Sequence, residues 1–262
     1  MAILLLTIFF LFGLIIGSFL NVVIYRYNSS KTLGGRSACM SCKSKLAWYD
    51  MVPVFSYVFL AGRCRSCKSR ISFQYPIVEF MTGIIFALIF WKLHYLVFFD
   101  SLSFAFTYAY YVVMFSLLLV VSVYDIKHKI IPDSFALVIA LMAFGGMFLF
   151  SDMGLDPTVP PIKELFSGLL LALPFALIWL LSKGAWMGLG DAKLIVGLGY
   201  LLGLTRGLSA IIISFWIGAL VGVLLLLLSK KGMKSELPFA PFLVLGSFLA
   251  FVFNLNIFYL GF

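Results

Sequence analysis

Eight stretches of continuous apolar sequence, each on the scale of a bilayer's hydrocarbon core, constrain this chain more than any other feature. They run approximately over residues 3–25, 76–98, 103–124, 134–150, 164–182, 191–205, 208–228 and 238–257. A helix needs about 20 such residues to cross the core, and runs that do not alternate disfavour a strand barrel. The sixth run is short, and only Arg206 and Gly207 separate it from the seventh. With 63% hydrophobic and 11% charged residues and a mean hydropathy of +1.14, 262 residues offer no polar exterior for a soluble fold. Soluble domains average about 25% charged. The expected architecture is an all-α polytopic membrane protein of about eight transmembrane helices.

Charge sets the expected orientation. Met1 to Val23 has no basic residue ahead of its apolar core and no small-residue cleavage pattern, so it reads as a retained first span rather than a signal. The first positive charge, Arg26, follows that span, which predicts an N-terminus outside. The inner loops then hold nine lysines and arginines between Arg26 and Arg70, Lys127 and Lys129, Lys183 and Lys193, and Lys230, Lys231 and Lys234. That is sixteen of the 19. This places Asp125 and Asp191 at the same, cytoplasmic, face. The net charge of +9 follows mainly from this bias and requires no nucleic-acid partner.

One loop, about Asn28 to Tyr75, is large enough for its own structure, and it holds all four cysteines. They form an internal repeat, Cys39-Met-Ser-Cys42-Lys-Ser-Lys-Leu46 and Cys64-Arg-Ser-Cys67-Lys-Ser-Arg-Ile71. Each half reads as a knuckle, with two thiolates straddling a tight turn. Two knuckles supply the four-sulfur tetrahedron of a closed structural zinc site. Two disulfides or a redox-active pair are the competing readings, and a reducing cytoplasm disfavours the first. So small a loop has little core, so bound metal would contribute to its folding. The expected divisions are a first span at 1–27, a cytoplasmic zinc-binding loop at 28–75 and a membrane-embedded part at 76–262. The loop's basic residues also suit anionic lipid headgroups.

The two ionisable residues at span ends carry the chemistry. Asp125 closes the third span and Asp191 opens the sixth, in Gly188-Leu-Gly190-Asp191. An acid in such a place is a functional candidate, and two carboxylates together divide the work of base and acid. Pro132 suits the first turn of the fourth helix. Asp133 beside it reads as a helix-start residue that shapes the site. Gly188 and Gly190 permit close backbone approach to a substrate strand, and Pro238-Phe-Ala-Pro241 offers either an extended edge or a helix start. His128, between lysines, reads as solvated. Helix ends favour charge on Asp191 and the neutral form on Asp125, which predicts Asp191 as the resting base and Asp125 as the acid.

In order along the chain, Gly17-Ser-Phe-Leu-Asn21, the cysteine pairs with Asp50-Met-Val-Pro53 between them, Gly62-Arg-Cys64-Arg65 and Tyr75-Pro-x-x-Glu79 resemble the type IV prepilin peptidases. So do Asp125 through Ile131-Pro132-Asp133, Gly188-Leu-Gly190-Asp191-Ala-Lys193 and Pro238-Phe-Ala-Pro241-Phe. Gln74 departs from this pattern by standing where that family often has arginine, and so removes a fixed cation near Glu79.

The resemblance implies a catalytic pair, Asp125 and Asp191, shaped by Gly188, Gly190, Pro132, Asp133 and Lys193. It implies cleavage of prepilin and pseudopilin leaders after a glycine, on the cytoplasmic side of a bacterial inner membrane, with no metal required for cleavage. It further implies methylation of the new N-terminus by S-adenosylmethionine. Asp50, Glu79 and the zinc loop of Cys39, Cys42, Cys64 and Cys67 are the candidates for that step. Pilus or secretion assembly proteins would be partners alongside membrane lipid. A proton-coupled transporter would need paired inverted halves, which the sequence does not show. A zinc-stabilised assembly scaffold would leave both aspartates without a role.

Overall fold

The computed structural model describes residues 2–29, 32, 34–151, 154–228 and 237–257. Lys31, Lys230, Lys231 and Lys234, counted above with the inner loops, lie outside the described residues. Helices dominate. The chain divides into two compact units, Met1–Leu93 and His94–Phe262.

The first unit is built on α1 (Ala2–Arg26) and α3 (Gln74–Leu93). Small residues let the two backbones meet: a Cβ on Gly17 would lie 2.6 Å from the Cα of Glu79, and one on Gly13 2.8 Å from that of Gly83. In a membrane, where lipid is as apolar as leucine, such close packing is what holds helices together. Phe9 stacks on Phe90 at 4.4 Å, and Phe12 meets Phe86 edge-on. Between these helices lie the knuckles, a 3-10 turn at Trp48–Met51 and a short helix, α2 (Phe55–Phe59). The sequence grouped the helix beginning near Tyr75 with the second half of the chain. Its packing places it with α1 instead.

The second unit contains α4 (Leu96–Phe99), α5 (Ser101–His128), α6 (Asp133–Gly146), a two-strand hairpin of β1 (Phe150–Ser151) and β2 (Gly154–Leu155), α7 (Ile162–Leu165), α8 (Ser167–Ser182), α9 (Leu189–Leu228) and α10 (Ala240–Val252). Among the described residues four helices, α1, α3, α5 and α9, are long and apolar enough to cross a membrane, and α6, α8 and α10 are shorter apolar helices.

The 40 residues of α9 are not one rod. Gly203 takes φ 76° and ψ 176°, outside helical geometry. A Cβ on Gly207 would lie 3.7 Å from the Cα of Gly199, although eight residues of straight helix span about 12 Å. The chain therefore turns back at Gly203, and its two halves pack through Gly199 and Gly207. The sequence put this boundary at Arg206 and Gly207. It falls earlier because only glycine accepts that backbone readily, and because Glu164 accepts the freed Leu204 N–H at 2.8 Å.

Candidate functional site

The aspartates sit where helix ends of the second unit gather. Asp125 lies in the last turn of α5, which continues to His128 and ends on Lys129 in a left-handed conformation. Its side chain is buried, 5% exposed. Its Oδ2 accepts the backbone N–H of Ala240, the first residue of α10, at 3.3 Å. Asp191 is in the first turn of α9, half-buried, and within electrostatic reach of Asp125. Two carboxylates so placed favour sharing one proton over carrying two charges.

Around the pair, the flanking residues take these places. Gly190 lies inside α9 rather than before it, and a Cβ there would meet Ile131 at 3.0 Å. It admits the α5–α6 connection against α9. Gly188 is exposed just ahead of that helix. Asp133 does open α6, but its carboxylate pairs with Lys193 Nζ at 2.7 Å rather than capping the helix. Pro132 precedes α6 and is buried. His128 is exposed, with its ring against Tyr124. Pro241 stands at the start of α10, so the proline pair there marks a helix start. That helix brings its positive end to Asp125, just as α9 brings its own to Asp191. Helix ends therefore no longer single out one carboxylate as the proton holder.

In the first unit the four cysteine sulfurs lie within 4.8 Å of one another. Cys39 and Cys67 sulfurs are 3.8 Å apart, too far for a disulfide. A tetrahedron with zinc–sulfur bonds of about 2.3 Å has edges of about 3.8 Å, so this set fits the metal. The repeat is structural as well as sequential. Cys39 N–H donates to Ser44 O and Cys64 N–H to Ser69 O, while Lys43 and Lys68 take left-handed conformations. Isolated bridges Ala38–Lys45 and Arg63–Arg70 close each knuckle. The backbone N–H groups of Cys42 and then Ser41 draw the Cys39 thiol down to about 6. Those of Cys67 and Ser66 act likewise on Cys64, but burial and the Cys39 and Cys67 sulfurs outweigh them and push it up.

Asp50 and Glu79 have separate partners. Arg65 holds Asp50 at 2.8 Å and lies over the Tyr49 ring. Glu79, buried on α3, accepts the Val54 N–H at 2.7 Å and a hydrogen bond from Ser18. No contact joins the two acids among the described residues. The chain between them makes a strained turn: Val54 has φ 61° and ψ −50°, with Phe55 N–H donating to Pro53 O at 2.6 Å. That is a γ-turn of the rare hand, unusual for a β-branched residue.

Residues 11–93 match the Bacterial Peptidase A24 N-terminal domain and residues 112–223 match the Type IV leader peptidase family. A Bacillus subtilis protein named Prepilin leader peptidase/N-methyltransferase is 31% identical over 95% of this chain and 94% of its own length. This chain belongs to the type IV leader peptidase family. Relatives of the same name from Pseudomonas aeruginosa and Neisseria gonorrhoeae are 30% and 26% identical, over 93% and 92% of the chain and 89% and 88% of their own lengths. No solved structure matches the chain. The two family regions fall one in each compact unit, the cysteines in the first and the aspartates in the second.

The sequence missed two features of these sites. Nothing marks Ala240 as a donor to a residue 115 positions away. The role of Ser18 beside Glu79 was also missed, although the four-residue spacing of Gly13, Gly17 and Asn21 marks a helix face.

Proposed function

We propose that this member of the leader peptidase family removes the leader of type IV prepilins and pseudopilins with Asp125 and Asp191, then N-methylates the new N-terminus from S-adenosylmethionine. One observation carries the peptidase half: in a chain of this family, a buried Asp125 held by the Ala240 N–H lies within electrostatic reach of Asp191. One carboxylate draws a proton from water as it attacks the scissile carbonyl, while the other protonates the departing amine. No covalent intermediate forms. Gly190 and Ile131 keep the helix ends close enough for the pair to act together.

The cut follows a glycine on the cytoplasmic side of the inner membrane. The positive-inside distribution supports that side, with eight crossings if both halves of α9 span. Peptide cleavage belongs to the second unit and methyl transfer to the first. Cys39, Cys42, Cys64 and Cys67 would hold a zinc ion, which when bound fixes the two knuckles together. Pilus or secretion assembly proteins are the partners downstream.

The test is purified protein in detergent with a prepilin and S-adenosylmethionine, followed by mass spectrometry. Loss of the leader and a gain of one methyl group are the expected results. An intact prepilin would refute the peptidase reading, and a cleaved but unmethylated one would refute the transferase reading. A transporter or scaffold would leave the prepilin intact.

A further inference from the structure

Between α2 and α3 lies a cleft of about 360 Å³, and none of its lining residues carries a charge. Val58 of α2 and Ile77, Phe80 and Met81 of α3 are among them. The walls continue onto an exposed apolar surface. Phe59 is 85% exposed and Val58 67%, and Phe55, Ile77, Phe80 and Met81 are exposed as well. A contiguous apolar patch of this kind needs something to cover it.

The length of α3 gives the depth of the cleft in a membrane. Its 20 residues are long and apolar enough to cross. They span about 30 Å, which is the thickness of the hydrocarbon core and leaves no turn to spare in water. Ile77, Phe80 and Met81 stand within the first two to three turns of that helix, so the wall they form lies at acyl-chain depth. The chain at the start of α2 is tied to the same level. Val54 gives its N–H at 2.7 Å to Glu79, which lies between Ile77 and Phe80 on α3.

The far end of α2 meets a positive edge. Gly62 lines the cleft, and its carbonyl accepts the Ile71 N–H at 2.8 Å. Beside that bond, Arg63 and Arg70 pair in an isolated bridge. Both arginines are exposed, and neither has an ion pair among the described residues. A phospholipid offers what the two features call for, an acyl chain for the uncharged cleft and a phosphate for the guanidinium groups.

We propose that α2 lies within the lipid boundary, and that the cleft between α2 and α3 holds one acyl chain of an anionic phospholipid whose headgroup meets Arg63 and Arg70. The segment joining the second half of the linker to α3 is then a membrane-inserted anchor that keeps the cysteine knuckles at the bilayer surface. Apolar side chains on an interfacial helix enter the headgroup and acyl boundary by about 5–10 Å, which suits Phe55, Val58 and Phe59. A protein segment docking in this cleft would first have to displace lipid already present at that depth.

The test uses the full-length protein in nanodiscs of equal parts phosphatidylglycerol and phosphatidylcholine. Phe59→p-benzoylphenylalanine places a photoreactive group on α2, and mass spectrometry identifies what it joins after irradiation. Lipid adducts are expected, with phosphatidylglycerol exceeding phosphatidylcholine by at least about threefold. The same group introduced as Lys45→p-benzoylphenylalanine, in the first knuckle, should give no acyl-chain adduct. Adding Arg63→Gln and Arg70→Gln to the Phe59 variant should bring the ratio of the two lipids close to one while adducts persist. If the Phe59 variant does not fold, as judged by melting temperature, Val58→p-benzoylphenylalanine replaces it. Adducts to the protein's own peptides, or no adduct at either α2 position, would overturn the proposal. Equal labelling of the two lipids before the arginines are changed would overturn the headgroup contact.

Discussion

Asp125, in the last turn of α5, accepts a hydrogen bond from the backbone N–H of Ala240, the first residue of α10, at 3.3 Å. The acid is thereby fixed in a buried position by a backbone donor that, proline apart, no substitution removes. Its partner across the site, Asp191, is placed by the start of α9. Replacing either acid with asparagine keeps the shape and removes one of the two proton transfers. Asp125→Asn and Asp191→Asn should each lower leader cleavage by about 10²–10⁴-fold or more. Both proteins should remain membrane-inserted, as judged by fractionation. A single variant that cleaves at near the wild-type rate would remove the dyad from consideration.

The sequence showed the apolar helices and the knuckle repeat because both rest on local pattern, and continuous hydrophobic runs and paired Cys-x-x-Cys need no long-range information. The environment of the acids was less legible. The spacing of Asp125 and Asp191 says where their helices end, but not that α10 brings a third helix end to the same place. Glu79 was visible as an acid in a motif, yet its bond to Val54 depends on a turn whose backbone no propensity would suggest for valine. Tertiary packing decided these features.

The Asp133–Lys193 ion pair is worth much less than its 2.7 Å length suggests. The aspartate side chain is 74% exposed, so water and salt screen the contact. Asp133→Asn should reduce cleavage less than about tenfold, with a stability change of at most about 1 kcal/mol. Steady-state cleavage and thermal unfolding measure the two effects. Complete inactivity in a folded Asp133→Asn protein would give this acid a chemical role.

Gly203 should tolerate no side chain. Its φ of 76° and ψ of 176° belong almost to glycine alone, and a Cβ there would meet the Glu164 carboxylate at about 2.5 Å. Gly203→Ala should destabilise the protein by about 1–3 kcal/mol through backbone strain, with more from displacing Glu164. A lower melting temperature in detergent is the expected result. An unchanged one would mean that α9 does not turn at this residue.

Zinc should survive mild acidification and be lost below it. With the Cys39 thiol already drawn down to about 6, this ligand needs little deprotonation to bind metal at neutral pH. Cys64 is pushed up and opposes this, but bound zinc deprotonates its thiols outright, so release should have its midpoint on the acid side of neutrality. The same direction follows from linkage. A depressed thiol stabilises the fold above its ordinary range, and that stabilisation is lost as pH falls through about 6. Elemental analysis after equilibration across pH 4 to 8 measures the midpoint. Half-loss of zinc already at pH 7 would contradict the four-sulfur site. Chelation at neutral pH should then lower methyl transfer more than leader cleavage, because the knuckles belong to the first unit and the aspartates to the second. Equal loss of both activities would mean that the metal supports the whole protein rather than one of its two reactions.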